Sequence, residues 1–283
     1  MTRMTDEIIV GYDGSPGSEL ALRWAAREAR KRGTRLTICH AWAPEELALP
    51  AEPAIFDLAR WQGEEIMSRG LRGAEPIAGP GGVQPLLVSG SPARVLCAHS
   101  DRAGMMVAGS RGRGGLAGLL LGSVAWQLAG HGQGRTVIVR GTGRLANAAP
   151  GPVVVGVDGS AASRAALAFA AEEAALRRAP LVAVCALADA PGQIGGAHEL
   201  EEEFSSLLTR WEKEHPGVTV LRQVTPGTPR AALLEAAAGA QMLVVGARGR
   251  GGVRGMTLGS VTTVLVHHAP CPVGIVRSPA TTA

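Results

Sequence analysis

Aromatic residues and cysteines are scarce in this sequence of 283 residues, and lysine is almost missing. Only 3% of the residues are aromatic while 46% are hydrophobic, so we expect cores built mainly from Ala, Val and Leu. The cysteines lie far apart and form no C-x-x-C pair, which favours reduced, buried thiols over disulfides or a zinc site. They are Cys39, Cys97, Cys185 and Cys271.

Long apolar runs and blocks of like charge are also missing. No stretch approaches the roughly 18 uninterrupted apolar residues of a membrane span, and the first residues, MTRMTDE, contain no apolar signal segment. We therefore expect a cytoplasmic protein that does not bind a membrane. The net charge is +4, and almost all of the basic side chains are arginines. These arginines form no long basic block, which argues against DNA or RNA as a partner.

What the sequence does contain is an internal repeat. The segment IIVGYDGS at Ile8–Ser15 returns as VVVGVDGS at Val153–Ser160. A longer segment, GSRGRGGLAGLLLGSV at Gly109–Val124, returns as GARGRGGVRGMTLGSV at Gly246–Val261, with eleven of sixteen positions identical. The offset falls from 145 residues for the first pair to 137 for the second. The chain is therefore a duplication, and its second copy has lost about eight residues between its second and third strands.

The repeat also predicts the domain organisation. We expect two domains, residues 1–141 and 152–283, joined by a linker rich in Gly, Ala and Pro. In each copy, short uninterrupted apolar strands alternate with helices, a pattern that predicts a parallel sheet covered on both faces. The helix after the second strand is expected at about 55–71 in the first copy and at 200–214 in the second.

Five strands and about four helices per copy predict a doubly wound, Rossmann-like α/β domain with the strand order 3-2-1-4-5. Such sheets bind ligands outside the carboxyl ends of their strands, at the point where the strand order reverses. Here that point lies between strands 1 and 4, and the two repeated segments follow those two strands. The topology therefore predicts one ligand site in each copy.

The longer repeated segment is glycine-rich, with the spacing G-x-x-G, nine residues, then G-S, beginning at Gly109 and Gly246. Glycines allow positive φ angles and close approach of the backbone, so that successive N–H groups can form an anion-binding nest. The following helix adds free N–H donors at its N-terminus, and its serine can either cap that helix or donate to a phosphate. Arginines within the segment add positive charge. A flexible surface turn is the alternative, but the unchanged spacing in both copies favours phosphate binding.

An aspartate follows the first strand of each copy, as Asp13 and Asp158. Aspartate before Gly-Ser commonly builds an Asx turn. At the reversal of a sheet it can also accept from ribose hydroxyls or hold a phosphate-bound metal, and we favour contact with the ligand. Two known phosphate motifs are excluded, because the chain has neither the G-K-[ST] of a Walker loop nor a G-x-G-x-x-G after its first strand.

These segments resemble the ATP-binding class of the universal stress protein family. The resemblance covers residues 8–140 and 153–277 and is carried by VGYDGS and VVGVDGS, by ALRWAAREA and APCPVGIVR, and most specifically by the glycine spacing. It implies two tandem domains similar to adenine nucleotide alpha hydrolases, each a five-stranded parallel sheet that binds ATP, often with Mg²⁺, as a regulator under stress. It also implies that the backbone of Ala41 and of Ala186 meets adenine.

The predicted nucleotide sites combine this resemblance with the residues argued above. In the first copy they are Tyr12, Asp13, Ala41, Gly109, Arg111, Gly112, Arg113, Gly122, Ser123 and Val124. In the second copy they are Val157, Asp158, Ala186, Gly246, Arg248, Gly249, Arg250, Gly259, Ser260 and Val261. We predict no catalytic residue, and the identity of a bound metal is left open.

The resemblance further implies that the last strands pair across a dimer interface. We expect Val137–Val139 to pair with Val273–Val276 within one chain, as a pseudo-dimer, and we expect the chain to form a homodimer. One departure concerns the segment before the last strand, which reads GHGQGR at 130–135 and HHAPCP at 267–272. The missing prolines predict a more mobile approach to that strand in the first copy.

Three functions are possible on the same sites. The first is a binding module, in which ATP orders the loops and changes a partner surface. The second is a slow ATPase or self-phosphorylating enzyme, but phosphoryl transfer needs a base or a water-positioning residue. The repeated loop positions offer Arg, Gly and Ser without Glu, Gln or His, so the binding module is favoured. The third is a cyclic AMP binder, which the G-S segment disfavours because it suits an extended polyphosphate.

Overall fold

The computed structural model describes residues 6–42, 53–79, 81–113, 121–140, 151–187, 196–251 and 256–277. The chain divides into two compact units, Met1–Arg140 and Gly141–Ala283, which we call domain 1 and domain 2. None of the helices in the described ranges combines the length and the apolar character that a bilayer span requires.

Domain 1 is a parallel sheet of five strands with helices in the connections. Its elements are β1 (Ile8–Gly11), α1 (Pro16–Arg32), β2 (Leu36–Trp42), α2 (Pro53–Ala78), β3 (Val83–Ser89), α3 (Pro92–His99), β4 (Met105–Gly109), α4 (Ser123–His131) and β5 (Arg135–Val139). The strands lie in the order β3-β2-β1-β4-β5, and every pair is parallel. This confirms the predicted order 3-2-1-4-5.

Domain 2 repeats the same topology. Its elements are β6 (Val153–Gly156), α5 (Ala161–Arg177), β7 (Leu181–Leu187), α6 (Gly196–Glu214), β8 (Val220–Pro226), α7 (Pro229–Ala236), β9 (Met242–Gly246), α8 (Ser260–His268) and β10 (Val273–Val276). The order β8-β7-β6-β9-β10 is again fully parallel. The connection from β7 to β8 is eight residues shorter than that from β2 to β3, as the change in offset predicts.

The first helix of each domain begins after a serine cap and packs against the sheet through small residues. Ser15 accepts from the N–H of Ser18 at the start of α1, and Pro16 occupies its first position. The buried face of α1 consists largely of alanines, which let the helix lie close to the sheet. The helix ends at Arg32 and is capped by Gly33, which adopts a φ of 63°. In domain 2 the equivalent end is Arg178, a residue with a side chain at a φ of 50°.

The helix after the second strand is longer than expected in both domains. Helix α2 continues to Ala78, beyond the predicted end at residue 71, and includes the exposed Pro76 in its last turn. Helix α6 begins at Gly196, before the predicted start at residue 200, and ends at Glu214 as predicted. A proline near the end of a helix removes one N–H donor but leaves the preceding turns intact, so it does not mark the boundary here.

The approach to the last strand begins with the same backbone conformation in both domains but differs two residues later, because Gly134 has a φ of 63° while its counterpart Cys271 has no positive φ. The residue after α4, Gly132, has φ −58° and ψ 141°, and Ala269 after α8 has φ −58° and ψ 139°. The N–H of Gln133 donates to Ser100 Oγ at 2.9 Å, a bond that Pro270 in domain 2 has no N–H to form. The greater mobility expected for domain 1 stays a prediction.

Candidate functional site

Each domain has a cavity at the carboxyl ends of its central strands. The cavity of domain 1 has a volume of about 460 Å³ and that of domain 2 about 430 Å³, within the range typical of small-molecule sites. All ten residues predicted for domain 1 line its cavity, and all ten predicted for domain 2 line the other. The structure therefore brings the predicted residues together, while their contact with a nucleotide stays a prediction.

Helices α4 and α8 begin at the cavities without a side-chain cap. Their cap residues are Gly122 and Gly259, and within the described part of the chain no side chain makes a capping hydrogen bond to either helix. The first hydrogen bond within α4 runs from the N–H of Trp126 to the carbonyl of Gly122. The N–H groups of the first helical turn are therefore available to an anion, and the helix dipole favours a negative charge there.

The serine that begins each of these helices does not cap it. Ser123 and Ser260 are the first helical residues, one position after the cap, and both are exposed at the cavity. Of the two roles considered for this serine, the capping role is wrong. Its side chain lines the cavity, and its donation to a phosphate stays a prediction.

The glycine spacing follows from close packing rather than from positive φ angles. Among the described residues the glycines with positive φ lie elsewhere, for example at Gly14 and Gly159. A Cβ added at Gly109 would stand 2.4 Å from the carbonyl oxygen of Gly17 in α1. The expectation that the loop glycines supply positive φ is therefore wrong at the positions described. They let the loop approach the N-terminal turn of the first helix.

The second glycine of the spacing makes room for the aspartate after the first strand. A Cβ at Gly112 would stand 2.7 Å from Asp13 Oδ2, and one at Gly249 would stand 2.3 Å from Asp158 Oδ2. Each contact is shorter than a real Cβ contact, and it involves an anchored carboxylate. The second glycine and the aspartate therefore form one structural unit, repeated in both domains.

Asp13 fastens the glycine-rich loop to the turn after β1. Its Oδ1 accepts from the N–H of Ser15 at 3.0 Å, and its Oδ2 accepts from the N–H of Arg113 at 2.8 Å. Burial alone would raise the pKa of Asp13, but the hydrogen bonds donated by Ser15 and Arg113 outweigh it and hold that pKa below its ordinary value. The carboxylate is therefore ionised at neutral pH. The first bond is the Asx turn considered from the sequence.

Asp158 repeats this arrangement in domain 2. It accepts from the N–H of Ser160 at 3.0 Å and from the N–H of Arg250 at 2.9 Å. Burial opposes ionisation, and the bonds from Ser160 and Arg250 again hold the pKa of Asp158 below its usual range. The sequence predicts an aspartate at the site but does not reveal this link to the loop, because the bonded residues are 92 positions apart.

The wall formed by the ends of β1 and β2 differs between the domains. In domain 1 the Tyr12 hydroxyl bonds to the Glu19 carboxylate, and His40 Nδ1 lies 2.7 Å from the Tyr12 carbonyl oxygen. Burial lowers the pKa of His40, so the ring is neutral and Nδ1 carries the proton that it donates. Domain 2 has Val157 and Cys185 in these places, and burial raises the pKa of the Cys185 thiol to about 11.

Helices α3 and α7 supply an apolar wall whose residues are not among those predicted for the site. Pro92 and Leu96 line the cavity of domain 1, and Pro229 and Leu233 line that of domain 2. A Cβ at Gly11 would stand 2.7 Å from Leu96 Cδ1, so the leucine covers the end of β1 closely. The signal was present, because both pairs recur at the offset of 137 residues.

Acidic side chains are few around the cavities. Among the described residues, no group of three or more His, Cys, Asp or Glu is placed to hold a metal ion. The carboxylates that line the cavities belong to Asp13 and Asp158. Either one can offer a single carboxylate to a cation, and that carboxylate already accepts two backbone hydrogen bonds.

Comparison with known proteins places both halves of the chain in one family. The model described as "Universal stress protein family" matches residues 4–140 and 151–277. A universal stress protein of Mycolicibacterium smegmatis is 37% identical over 284 residues, covering 95% of this chain and 96% of the relative. A universal stress protein of Mycobacterium tuberculosis is 37% identical over 287 residues with the same coverage.

Solved structures with the same fold also span nearly the whole chain. The crystal structure of a universal stress protein from Archaeoglobus fulgidus aligns with a TM-score of 0.75 at 20% identity, covering 97% of this chain and 99% of that one. A putative universal stress protein from Pseudomonas aeruginosa aligns with a TM-score of 0.65 at 15% identity, covering 96% and 93%. At these identities the likeness supports the tandem fold.

Proposed function

The chain belongs to the universal stress protein family, and we propose that each of its domains binds one ATP and that the protein acts as a stress-response regulator rather than as an enzyme. The observation that carries this proposal is the uncapped start of α4 and α8 at a cavity lined by arginines. Backbone donors, a helix dipole and guanidinium groups together favour a ligand with several negative charges.

The cavity walls suggest how the nucleotide lies in domain 1. The triphosphate is held by the N–H groups at the start of α4, by the Ser123 hydroxyl and by Arg111 and Arg113. The ribose lies beside Asp13, and the adenine lies between the end of β2 at Ala41 and the apolar wall from α3. The same positions in domain 2 give an equivalent arrangement.

The ionisation and the existing hydrogen bonds of the polar groups in the cavities favour a binding role over catalysis. Each aspartate is ionised and already accepts two hydrogen bonds, so it is poorly placed to take a proton. His40 is bonded to the Tyr12 carbonyl and has no histidine counterpart in domain 2. Any hydrolysis of ATP or self-phosphorylation is therefore expected to be slow.

We also propose that a Mg²⁺ ion binds together with the phosphates of the nucleotide. Magnesium commonly binds through one or two carboxylates together with substrate phosphates and water. Among the residues that the structure describes, Asp13 and Asp158 provide the single carboxylate that each cavity offers, so the ion would depend mainly on the nucleotide. Cyclic AMP is the competing ligand, and it lacks the chain of phosphates that the start of α4 suits.

We also propose that the last strands of the two domains pair with each other, that the chain forms a homodimer and that it is located in the cytoplasm. Valine-rich strands at the ends of both repeats are suited to pairing with a further strand, because the outermost strand of a sheet leaves backbone groups free. Cross-linking and light scattering of the full chain test the assembly independently of nucleotide binding.

The proposed function is tested by the nucleotide that accompanies the purified protein. Mass spectrometry is expected to find ATP in the unsubstituted chain, and less of it after Gly112→Ala or Gly249→Ala, whose Cβ would meet an aspartate. Gly217→Ala is the matched control, because its Cβ would meet open space at an exposed position that lines neither cavity. Cyclic AMP in place of ATP, or equal loss of ATP in the control, would contradict the proposal.

A further inference from the structure

An arginine of the glycine-rich loop in domain 2 is held by an acidic residue of α6. The guanidinium of Arg250 forms an ion pair with the carboxylate of Glu203. The guanidinium also covers the turn after β6, since a Cβ added at Gly159 would stand 2.5 Å from Arg250 Nη2. The N–H of Arg250 is bonded to Asp158 at 2.9 Å. One residue thus connects α6, the turn and the loop at the wall of the cavity.

Domain 1 has a different residue where domain 2 has Glu203. Helices α2 and α6 can be matched through the strands that follow them, because both helices lead into the third strand of their domain. In this match Met67 corresponds to Phe204, and both side chains are buried. The neighbouring positions then make Ile66 the counterpart of Glu203.

The contacts of Ile66 agree with this match. A Cβ added at Gly14 would stand 3.8 Å from Ile66 Cγ2, so the isoleucine lies beside the turn after β1. Gly14 is the repeat counterpart of Gly159, over which Arg250 lies in domain 2. An aliphatic side chain cannot pair with Arg113, the counterpart of Arg250. The corner that holds Glu203 in domain 2 holds Ile66 and the Arg69 guanidinium in domain 1, since a Cβ added at Gly14 would also stand 3.7 Å from Arg69 Nη1.

We propose that Glu203 makes the two nucleotide sites unequal by competing with phosphate for Arg250. This inference rests on the proposed function, since it assumes that polyphosphates enter both cavities. In domain 2 a polyphosphate has to draw the Arg250 guanidinium away from Glu203, and the freed carboxylate then faces the incoming negative charge. In domain 1 Ile66 imposes neither cost. Domain 1 is therefore filled at lower ATP concentration, and filling of domain 2 breaks the link between its loop and α6.

The expected inequality is modest because the pair is solvent-exposed. The Arg250 side chain is 48% exposed and the Glu203 side chain 58%. Exposed pairs of this kind change a dissociation constant by about two- to fivefold. Salt screens them, so the difference between the sites should be larger at about 50 mM than at about 500 mM salt, where the Debye length is only a few ångströms.

The test is calorimetry of the full chain with MgATP as the probe. A Gly112→Ala background isolates domain 2, and a Gly249→Ala background isolates domain 1. Glu203→Gln is expected to lower the Kd of domain 2 by about two- to fivefold, and less at high salt. Ile66→Glu, which installs the acidic residue in domain 1, is expected to raise the Kd there by a similar factor.

Two comparisons make the outcome decisive. Glu202→Gln removes an exposed charge from the next position of α6 and is the control, expected to leave the Kd of domain 2 unchanged. A two-site titration of the Glu203→Gln chain without either glycine substitution gives the same comparison should a glycine variant fail to fold. Unchanged affinities in both Glu203→Gln and Ile66→Glu, or an equal change in Glu202→Gln, would overturn the inference. Failure of the unsubstituted chain to bind ATP would instead overturn the proposed function on which the inference rests.

Discussion

Replacing Asp13 with Asn should detach the glycine-rich loop of domain 1 from the turn after β1. The two carboxylate oxygens accept from the N–H groups of Ser15 and Arg113, at 3.0 and 2.8 Å. An amide has one acceptor oxygen and one donor nitrogen, so it can keep only one of these bonds. Whichever bond is lost, an amide N–H then faces another N–H.

The size of the destabilisation follows from the charge of the acceptor and the exposure of the donor in the lost hydrogen bond. Hydrogen bonds to an ionised group contribute about 1.5–3 kcal/mol. Arg113 is exposed, so its freed N–H can bond to water, and the lower end of that range applies. We expect Asp13→Asn to lower the free energy of unfolding of domain 1 by about 1.5 kcal/mol.

The effect also has a predicted pH dependence. Burial would raise the pKa of Asp13, but the bonds from Ser15 and Arg113 lower it below its ordinary value. A carboxylate whose pKa is lower in the folded state stabilises the fold above the unfolded pKa and loses this contribution as pH falls through the folded pKa. The difference between the chain and its Asp13→Asn variant should therefore be constant near neutral pH and shrink below about pH 4.

Hydrogen exchange at the Arg113 amide measures the loss of its bond to Asp13, and unfolding by denaturant measures the accompanying loss of stability. Protection of that amide should be lost in Asp13→Asn, while Asp101→Asn, at an exposed aspartate after α3, should leave it unchanged. The parallel variant Asp158→Asn should act on the Arg250 amide. Full protection of the Arg113 amide in Asp13→Asn, with unchanged stability, would refute the reasoning.

Three further predictions concern stability and reactivity. Arg178→Gly should raise the free energy of unfolding of domain 2 by about 1 kcal/mol, because a φ of 50° is unfavourable for a residue with a Cβ; a lower thermal midpoint would contradict this. Glu173→Ala should destabilise domain 2 by about 3–5 kcal/mol, because it leaves the buried Arg177 guanidinium without the Glu173 carboxylate; an unchanged midpoint of denaturant unfolding would contradict it. Three thiols should react slowly with alkylating reagents at neutral pH, because burial raises their pKa to about 11 or 12, and rapid labelling counted by mass spectrometry would oppose this. They are Cys39, Cys185 and Cys271.

The topology was predictable because it depends on patterns that repeat along the chain. Strands such as Ile8–Gly11 are buried on both faces of the sheet and therefore read as uninterrupted apolar runs. The extent of α2 was not predictable in the same way. Exposed residues such as Pro76 carry no apolar periodicity, so neither the pattern nor the proline marks where the helix ends.

The candidate site was predictable in its residue types but not in its bonds. The repeat identifies the glycines and the aspartates, because the same spacing occurs twice. It cannot reveal that Gly112 makes room for Asp13, or that Asp13 accepts from the N–H of Arg113, since these contacts join positions 99 and 100 residues apart in sequence. The ion pair of Arg250 with Glu203 was not predictable for a further reason. Glu203 lies in the region where the sequences of the two copies differ.

The central claim, that each domain holds the triphosphate of one ATP at an uncapped helix start, is tested most directly by titrating the full chain with MgATP. ATP has about 30 heavy atoms, and about 0.3 kcal/mol per atom corresponds to a Kd of micromolar order or below. Calorimetry should therefore give two ATP molecules per chain at that affinity, and one per chain after either Gly112→Ala or Gly249→Ala. Affinities near millimolar, or two bound molecules in the variant carrying both substitutions, would contradict the account.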